Sequence, residues 1–458
     1  MPDLGCVNPI ARMVCQVPPD HHSTPMNTLP VDDPLRIELH NEVHARPTAS
    51  IHLPAFIVLV GVFNSGISRE QEWAHLKRLQ PDLLFEEIQG NFVRLSLGAY
   101  TLKWERHTEF TRYSLVQALP QGVDLASQDP ELLSHLALPD GWLAAIPGRT
   151  FAAVQLIMLH DDLSAPHQSL RKAQQWFGEH TVVASRMGNP AHSLVVTDFR
   201  LQQGGFERIL VLAPETTSDM RAGRISQRLL ELETYRLMAL RGLPVAKAVG
   251  AQLSLAEREL ANITAALQNK AAQDQTMLDR LIGLAASVEL ITAEHSFRFA
   301  ATAAYDNLVR ERIAELRESP ITGTQTIGEF MRRRLSPAMA TVAATGQRLT
   351  SLSERISRTS ALLRTRVDIA TEEQNSQLLE KLTKGQAMQL RLQTTVEGLS
   401  IAAISYYVIS LLLYLGKAAN AAGLPIHPEM AAGAFVPLVL WLVWRTNKRI
   451  HDKLRREE

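Results

Sequence analysis

Two histidines near the amino-terminal end are spaced so that both could bind one metal ion. His40 and His44 are four residues apart, so on a helix they share one face. Imidazole nitrogen is a frequent ligand of divalent metals, and the pair is therefore a candidate metal site. Glu42 would lie on another face, and the order differs from the His-Glu-x-x-His motif of metalloproteases. The alternative is that both histidines bond to backbone groups; no other cofactor is expected.

A second polar row, Trp104 to Phe110, alternates as a strand would. Glu105, His107 and Glu109 would share one face. Two carboxylates beside an imidazole raise its pKa, so the row could bind a cation or act in acid–base chemistry. The alternative is a solvated face, or ion pairs with basic residues such as Arg46. If the His40 helix packs over this strand, both sets form one pocket, with these candidate ligand-binding residues: His40, Glu42, His44, Arg46, Arg106, His107 and Glu109.

Two apolar segments close to the carboxyl end predict contact with a lipid bilayer. Gly398 to Gly416 holds 19 residues without a charge, and as a helix it spans about 28 Å, close to the ~30 Å hydrocarbon core of a membrane. Met430 to Trp444 is a second uncharged run, after a connection that contains Pro425 and Pro428. The pattern predicts a two-helix transmembrane hairpin at 397–446.

A narrow polar stripe runs along the first of these segments. Small or polar residues recur every three or four positions, at Ser400, Ala403, Tyr407, Ser410 and Tyr414. In an oligomer, Tyr407, Ser410 and Tyr414 could line a pore. The alternative is that the stripe packs against the small residues 431–434 of the second segment.

Charge placement predicts the orientation and limits the partners. Basic residues crowd the end of the chain after Trp444 and the approach to the first segment, whereas the connection has Lys417 alone. The positive-inside rule then predicts a multi-pass protein of the inner (cytoplasmic) membrane with both termini in the cytoplasm. Lys plus Arg and Asp plus Glu both number 47, so no basic field favours nucleic acid. The two cysteines, Cys6 and Cys15, give no disulfide framework.

The elements that must position these residues predict an α+β fold. Residues 1–30 are expected to form a disordered leader and 31–214 a cytosolic domain, in which a helix begins near Asp33 and ends before Pro47. Short apolar runs between turn residues predict a mixed sheet. The predicted strands are Ala55–Phe63, a hairpin of 92–97 and 100–107 around Gly98, 113–118, 152–159, 193–198 and 206–212, with helices at 70–79 and 168–177.

Residues 215–396 predict a helical stalk. The apolar stripe of Leu349, Leu352, Ile356, Leu363 and Val367 is close to the 3.5-residue period of a coiled coil. It favours a homo-oligomer, although the stalk could also fold back on itself. Breaks are expected at 242–244 and 319–323, and 447–458 is expected to be a basic cytosolic tail.

Several phrases resemble a bacterial family of membrane-anchored proteins that has no assigned function. They are His40-Asn-Glu-Val-His-Ala-Arg-Pro47, Trp104-Glu-Arg-His-Thr-Glu-Phe110, Thr197-Asp-Phe-Arg200, Gln227-Arg-Leu-Leu-Glu-Leu-Glu-Thr-Tyr-Arg236 and Ile327-Gly-Glu-Phe330. The resemblance covers nearly all of the chain beyond the leader. It implies an architecture and no reaction.

The order of segments is also similar to that of CorA-type magnesium transporters, in which a cytosolic α/β domain and a long stalk helix lead into two spans. That family has a Tyr-Gly-Met-Asn motif at the end of the first span. Here the equivalent place reads Tyr414-Leu-Gly-Lys417, and a lysine at a pore mouth repels divalent cations.

Three functions are consistent with these observations. The favoured one is a membrane-anchored, oligomeric protein without catalysis, whose cytosolic head senses or binds a ligand. The alternative is a CorA-like channel or transporter that lacks the Gly-Met-Asn motif. The third is a membrane-tethered enzyme that uses His40, His44, His107 and Glu109.

Overall fold

The computed structural model describes residues 33–36, 39, 50–83, 90–121, 132–268, 274–422, 425 and 427–454, with side chains as far as 449. The chain forms two compact units. The first contains Met1–Gly250 and Ala293–Gln347, and the second contains Ala251–Thr292 and Arg348–Glu458. The boundaries predicted at 214 and 396 stay a prediction.

The first unit is built on one mixed sheet of eight strands. The strands are β1 Ala55–Phe63, β2 Phe92–Ser96, β3 Tyr100–Arg106, β4 Phe110–Ala118, β5 Arg149–His160, β6 Val183–Met187, β7 Ser193–Leu201 and β8 Glu207–Ala213. Their order is β2-β3-β4-β1-β5-β8-β7-β6. Every pairing is antiparallel except that of β5 with β8. The predicted α+β class with a mixed sheet is confirmed.

Both faces of the sheet are covered, which explains the uninterrupted apolar sequence of its central strand. Ile57 and Leu59 belong to one buried cluster, and Phe56 and Val58 belong to another. Because alternate residues of a strand point to opposite faces, a strand buried on both sides is apolar throughout.

The described part of the chain contains eight α-helices, two of them between strands and six after the last strand. They are α1 Arg69–Lys77, α2 Pro166–Gln174, α3 Asp219–Leu240, α4 Gly242–Ala266, α5 Asp274–Leu316, α6 Ile327–Arg334, α7 Ser336–Ala421 and α8 Pro428–Leu454. One face of the sheet packs against α3, α6 and the carboxyl end of α5. The other face packs against α1, α2 and short 3₁₀ turns, among them Leu132–His135 and Gln175–Phe177.

Local sequence sets where several helices begin. Ser68 and Gln71 form a capping box at the start of α1, and Thr326 and Glu329 form another at the start of α6. The predicted helix end at 242–244 is confirmed in that one helix ends just before these residues, although the residues themselves are helical. Helix α3 ends at Leu240, but α4 begins at Gly242 and holds Pro244 in its first turn, where proline is well tolerated.

The apolar stripe of the predicted stalk is buried within the second unit. Leu349, Leu352, Ile356 and Leu363 of α7 are buried, as are Leu253 and Leu260 of α4 and Leu281 and Val288 of α5. Arg348 of α7 bonds to Glu257 of α4 at 2.8 Å, and Arg366 of α7 bonds to Asp274 of α5 at 3.0 Å. The fold-back alternative accounts for this stripe, which therefore gives no support to a coiled coil between chains.

Candidate functional site

The candidate metal pair lies outside the part of the chain that the structure describes, together with Glu42 and Arg46. The segment just before it is partly described. The Asp33 carboxylate accepts a hydrogen bond from the Leu35 N–H at 2.8 Å, and the Leu39 N–H donates to the Leu35 carbonyl at 2.8 Å. The cap predicted at Asp33 is therefore confirmed, and the metal site stays a prediction. Among the described residues, no group of three His, Cys, Asp or Glu side chains is placed to hold a metal.

The second polar row is not one strand, and this prediction was wrong. Strand β3 ends at Arg106, the chain turns through His107 to Glu109, and β4 begins at Phe110. The His107 N–H closes the turn by donating to the Phe110 carbonyl at 2.7 Å. A turn reorients every side chain that follows it, so the predicted common face of Glu105, His107 and Glu109 does not exist.

Arg106 attaches α1 to this hairpin. Its guanidinium bonds to the buried carboxylate of Glu72 and donates to the Ile67 carbonyl at 2.8 Å. The Thr111 hydroxyl donates to the second oxygen of the same carboxylate at 2.6 Å. Glu72 thus receives the charged and neutral donors that a buried carboxylate needs. Arg106 is a structural residue of the helix–hairpin contact.

Glu109 and His107 also have partners of their own. The Glu109 carboxylate bonds to the Arg298 guanidinium and accepts from the Tyr305 hydroxyl at 3.0 Å, both of them on α5. The His107 ring stacks on Phe110, with ring centroids 4.5 Å apart. Arg106, His107 and Glu109 therefore contact three different neighbours and do not form a common pocket.

A buried ion network lies between the sheet and α3, and Glu105 is the member of it that the sequence analysis considered. Glu105 bonds to Lys103 at 2.9 Å and to Arg112 at 2.7 Å, and Glu231 of α3 bonds to Arg312 at 2.6 Å. Burial would raise the pKa of Glu105, but the two cations together lower it. Arg112 is fully buried, and its Nε has no partner among the described atoms.

The cavity within this network has a volume of about 50 Å³. One or two water molecules fill such a volume, at about 30 Å³ each. It is too small for an organic ligand, since ligand pockets start at about 300 Å³. The signal in the sequence was the period-2 spacing of Lys103 with Glu105 on one strand and of Arg112 with Ser114 on the next. Their connection to Glu231 depends on the fold.

A second buried cluster joins β8 to α3. Arg236 bonds to Glu207 at 2.7 Å and to Glu233 at 2.5 Å. Burial raises the pKa of Glu233 well above its usual value, and the neighbouring Glu207 raises it further, against the opposing effect of Arg236. The single positive charge of Arg236 cannot neutralise two carboxylates, which favours the protonated form of Glu233.

The predicted apolar segments form two helices that are long and apolar enough to cross a membrane. The best 18-residue windows have mean hydropathy 1.9 in the helix that ends at Ala421 and 1.2 in α8, and only 6% and 11% of these windows is buried. Length and composition are the properties by which these helices qualify.

Contacts join the two apolar helices along one side. Ile401, Ile404 and Val408 of α7 line a gap of about 370 Å³ with Val439 and Leu442 of α8. At one end of the pair the Asn447 amide donates to Glu397 at 2.7 Å, and at the other Gly416 approaches Pro428.

The tyrosine stripe lies on a different side from this contact. Tyr407 and Tyr414 are each 69% exposed, and the Ser410 hydroxyl donates to the Tyr406 carbonyl of its own helix at 2.8 Å. The alternative in which the stripe packs against residues 431–434 is therefore wrong for both tyrosines. Whether Tyr407, Ser410 and Tyr414 line a pore stays a prediction.

Comparison with known proteins identifies the family. The pattern of one family, described as a protein of unknown function (DUF3422), matches residues 31–454. The chain belongs to this family. The DUF3422 match covers the sheet and every described helix, α8 included. No curated protein and no solved structure matches the chain, so the likeness to CorA-type transporters rests on the order of segments alone.

Proposed function

We propose that this DUF3422 protein is an oligomer anchored in a membrane by α7 and α8, with a cytosolic head that binds a ligand. The observation that carries the proposal is the exposure of the apolar helices. Leu411, Leu415, Leu438 and Trp441 are among many large apolar side chains there that are about half exposed or more. Keeping one such side chain in water costs about 1.5–3 kcal/mol relative to burial, so a lipid environment stabilises the segment.

Polar groups mark the expected edge of the membrane at one end of the helix pair. The Arg445 guanidinium lies over the Trp441 ring at 4.8 Å, and the Lys448 ammonium lies over the Trp444 ring at 5.1 Å. Tryptophan next to a basic residue is typical of a bilayer interface. The bond between Asn447 and Glu397 brings the start of the first segment to the same level as the end of the second, as a hairpin that crosses twice requires.

The orientation follows from where the basic residues lie. Arg445, Lys448 and Arg449 follow the second apolar segment, and Lys381, Lys384 and Arg391 precede the first. Both groups lie on the same side of a hairpin that spans twice. The positive-inside rule places that side in the cytoplasm, and the inner (cytoplasmic) membrane is then the expected location.

A long, fully exposed segment of α7 supports oligomerisation. From residue 368 to 396 every side chain of this helix is exposed, which leaves about 43 Å of helix without a partner among the described residues. One face of the helix, from here to Leu399, is uncharged and mostly apolar. At successive four- and three-residue steps it carries Leu378, Leu382, Gly385, Gln389, Leu392, Val396 and Leu399, which is the spacing of a helix-pairing seam. A second copy anchored in the same membrane presents the same seam in parallel.

Fractionation tests the anchor. The full chain should remain in the membrane pellet after extraction with alkaline carbonate, and a chain that ends at residue 395 should be soluble. The internal control is a chain with Leu378→Gln, which weakens the seam and leaves the apolar helices intact, and it should still pellet. If the full chain is extracted as readily as the truncated one, the proposal is wrong.

The exposed tyrosines favour one second candidate, a CorA-like channel or transporter. Tyr407 and Tyr414 are free to face a central axis in an oligomer, because neither packs against α8. An ion-flux assay in liposomes that contain the protein tests this candidate. A flux of monovalent or divalent ions that Tyr407→Ala reduces and Leu411→Ala leaves unchanged would support it. A membrane-bound oligomer without ion flux leaves the anchored binding protein as the function.

The proposal contains no catalytic step. Of the residues considered for an enzyme, His107 and Glu109 have the structural contacts described above. His40 and His44 lie in the undescribed segment.

A further inference from the structure

A basic cavity of about 320 Å³ lies at the amino-terminal end of α3, within the first unit. Its walls are the first turns of α3, the loop after β6 and the end of α5. The charged and titratable groups that line it are Arg221, Arg224, Arg228, Arg317, His192 and Glu315. No residue of this set was singled out as a candidate from the sequence.

Helical spacing brings three of the arginines to one side. Arg221, Arg224 and Arg228 are separated by three and four residues, so their side chains leave the same face of α3. Asp219, also in the first turn, contacts His52 instead. The fourth arginine comes from 89 positions further along the chain than Arg228, directly after α5.

Arg317 occupies an unusual backbone conformation. Its φ is +46°, in the left-handed region that is unfavourable for a residue with a side chain. Such strain is kept where the surroundings impose it, and it is common at ligand sites. Here it ends α5 and brings a guanidinium to the cavity wall.

The cavity has more positive charge than the protein neutralises. Glu315 accepts from Arg228 at 3.1 Å and from Arg312, which lies outside the cavity, at 2.7 Å. In the described part of the chain, no carboxylate pairs with Arg221, Arg224 or Arg317. Like charges that line one cavity repel one another, and among the described residues Glu315 is the only carboxylate in the wall. A bound anion removes this repulsion.

The walls are already held in place. The Gly188 N–H donates to the Leu316 carbonyl at 3.0 Å, which joins the loop after β6 to the end of α5. Beneath them, Met187, Ile225 and Leu316 are buried. The His192 ring contacts the Ser193 hydroxyl at 3.0 Å. A ligand therefore meets a preformed site, which lowers the ordering cost of binding.

We propose that this cavity binds a phosphate monoester, on a soluble small molecule or on a lipid headgroup. The planar guanidinium fork matches phosphate oxygens in pairs. Three arginines that pair with no described carboxylate carry more positive charge than a carboxylate ligand, with one negative charge, would neutralise. A volume near 320 Å³ is at the small end of ligand pockets, so it accommodates the phosphate and a small organic group. The inference rests on the binding role proposed for the head and names its ligand class.

Calorimetric titration of the full chain in a neutral detergent tests the inference. The probes are glycerol 3-phosphate and a short-chain phosphatidic acid, with inorganic phosphate as the minimal ligand. Arg224→Gln and Arg317→Gln should each weaken binding about tenfold or more, since a hydrogen bond to a charged group contributes about 1.5–3 kcal/mol. Arg171→Gln is the matched control, because Arg171 is exposed on α2 away from the cavity, and it should leave binding unchanged.

The outcomes distinguish a lipid headgroup from a soluble phosphate ester, and they distinguish failure of this inference from failure of the membrane anchor. Tighter binding of phosphatidic acid than of glycerol 3-phosphate identifies a lipid headgroup, and equal binding identifies a soluble ester. No binding of any probe, or equal weakening by Arg171→Gln, overturns the inference. A chain that fails to bind yet pellets with membranes refutes the phosphate site and leaves the anchor standing.

Discussion

The buried cluster of Glu207, Glu233 and Arg236 gives a sharp prediction, because removal of its cation should destabilise the fold far more than removal of one of its acids. Arg236 supplies the cluster's positive charge and bonds to both acids. The Glu233 side chain is only 1% exposed. Arg236→Met would leave two buried carboxyl groups without a cation. The loss of one partner from a buried ion pair costs about 3–5 kcal/mol, a large part of the 5–15 kcal/mol that stabilises a typical domain.

Glu233→Gln should be far milder. The pKa of Glu233 is raised well above its usual value, which favours its neutral, protonated form, and glutamine is a neutral side chain of the same shape. The bond between Arg236 and Glu207 is retained. We expect a change below about 1 kcal/mol at pH 5, the net value of an ordinary hydrogen bond.

The raised pKa of Glu233 also fixes the direction in which stability should change with pH. Because the folded-state pKa of Glu233 is raised, the stabilisation that comes with its proton is complete below the unfolded value of 4.5. It is lost as the pH rises through the folded-state pKa, at no more than about 1.4 kcal/mol per pH unit. Glu233→Gln has no such proton to lose, so its stability should improve relative to the wild type as the pH rises from 5 to 8.

Denaturant unfolding of the full chain, followed by tryptophan fluorescence at several pH values, measures these differences. Glu215→Gln is the control for loss of an exposed carboxylate and should track the wild type throughout. The reasoning fails if Glu233→Gln costs as much as Arg236→Met, or if its difference from the wild type does not vary with pH.

Three further predictions concern other contacts. Burial, followed by the charge of Arg78, lowers the pKa of His75 from 6.5 to about 4, so the stability present above pH 6.5 should fall by about 2 kcal/mol by pH 5. The His75 ring lies 4.2 Å from the Trp142 ring, centroid to centroid, and His75→Phe keeps an aromatic ring there; this variant should abolish the fall in denaturant titrations. Leu382→Gln combined with Leu392→Gln should lower the mass of the detergent-solubilised particle in light scattering, because both residues lie on the proposed seam. The control pair, Leu379→Gln with Leu390→Gln, is similarly exposed but lies off the seam and should leave the mass unchanged. Equal masses for the two double variants would contradict the seam. Glu109→Gln should cost about 1–3 kcal/mol of unfolding free energy through Arg298 while phosphate binding stays unchanged; a loss of binding without loss of stability would return Glu109 to a functional role.

Local patterns predicted the central elements well, because their causes are local. The run from Ala55 to Phe63 is apolar throughout and is bounded by Pro54 and Asn64, so strand β1 was predicted at its observed ends. The hairpin around Gly98 depends on a residue that adopts φ +70°, which glycine does readily. Strand β6, Val183–Met187, was missed because five residues without alternation give no period to detect.

The candidate site was harder to predict, because its contacts are distant in sequence. Alternation through His107 suggested one strand, but a turn there sends Glu109 to Arg298, 189 residues away. The spacing of Arg221, Arg224 and Arg228 was visible in the sequence. Their meeting with Arg317 and His192 needed the pairing of Gly188 with Leu316, which no period in the sequence encodes.

Cysteine accessibility tests most directly whether the apolar helices cross a membrane twice. Cys6→Ser and Cys15→Ser first remove the native cysteines. Single cysteines are then introduced by Ser376→Cys in the exposed part of α7, by Asn420→Cys after the first apolar segment and by Lys448→Cys after the second. An impermeant maleimide added to intact spheroplasts should label position 420 alone, and positions 376 and 448 should react only after permeabilisation. Labelling of all three positions without permeabilisation, or protection of position 420 together with the other two, would contradict the double crossing.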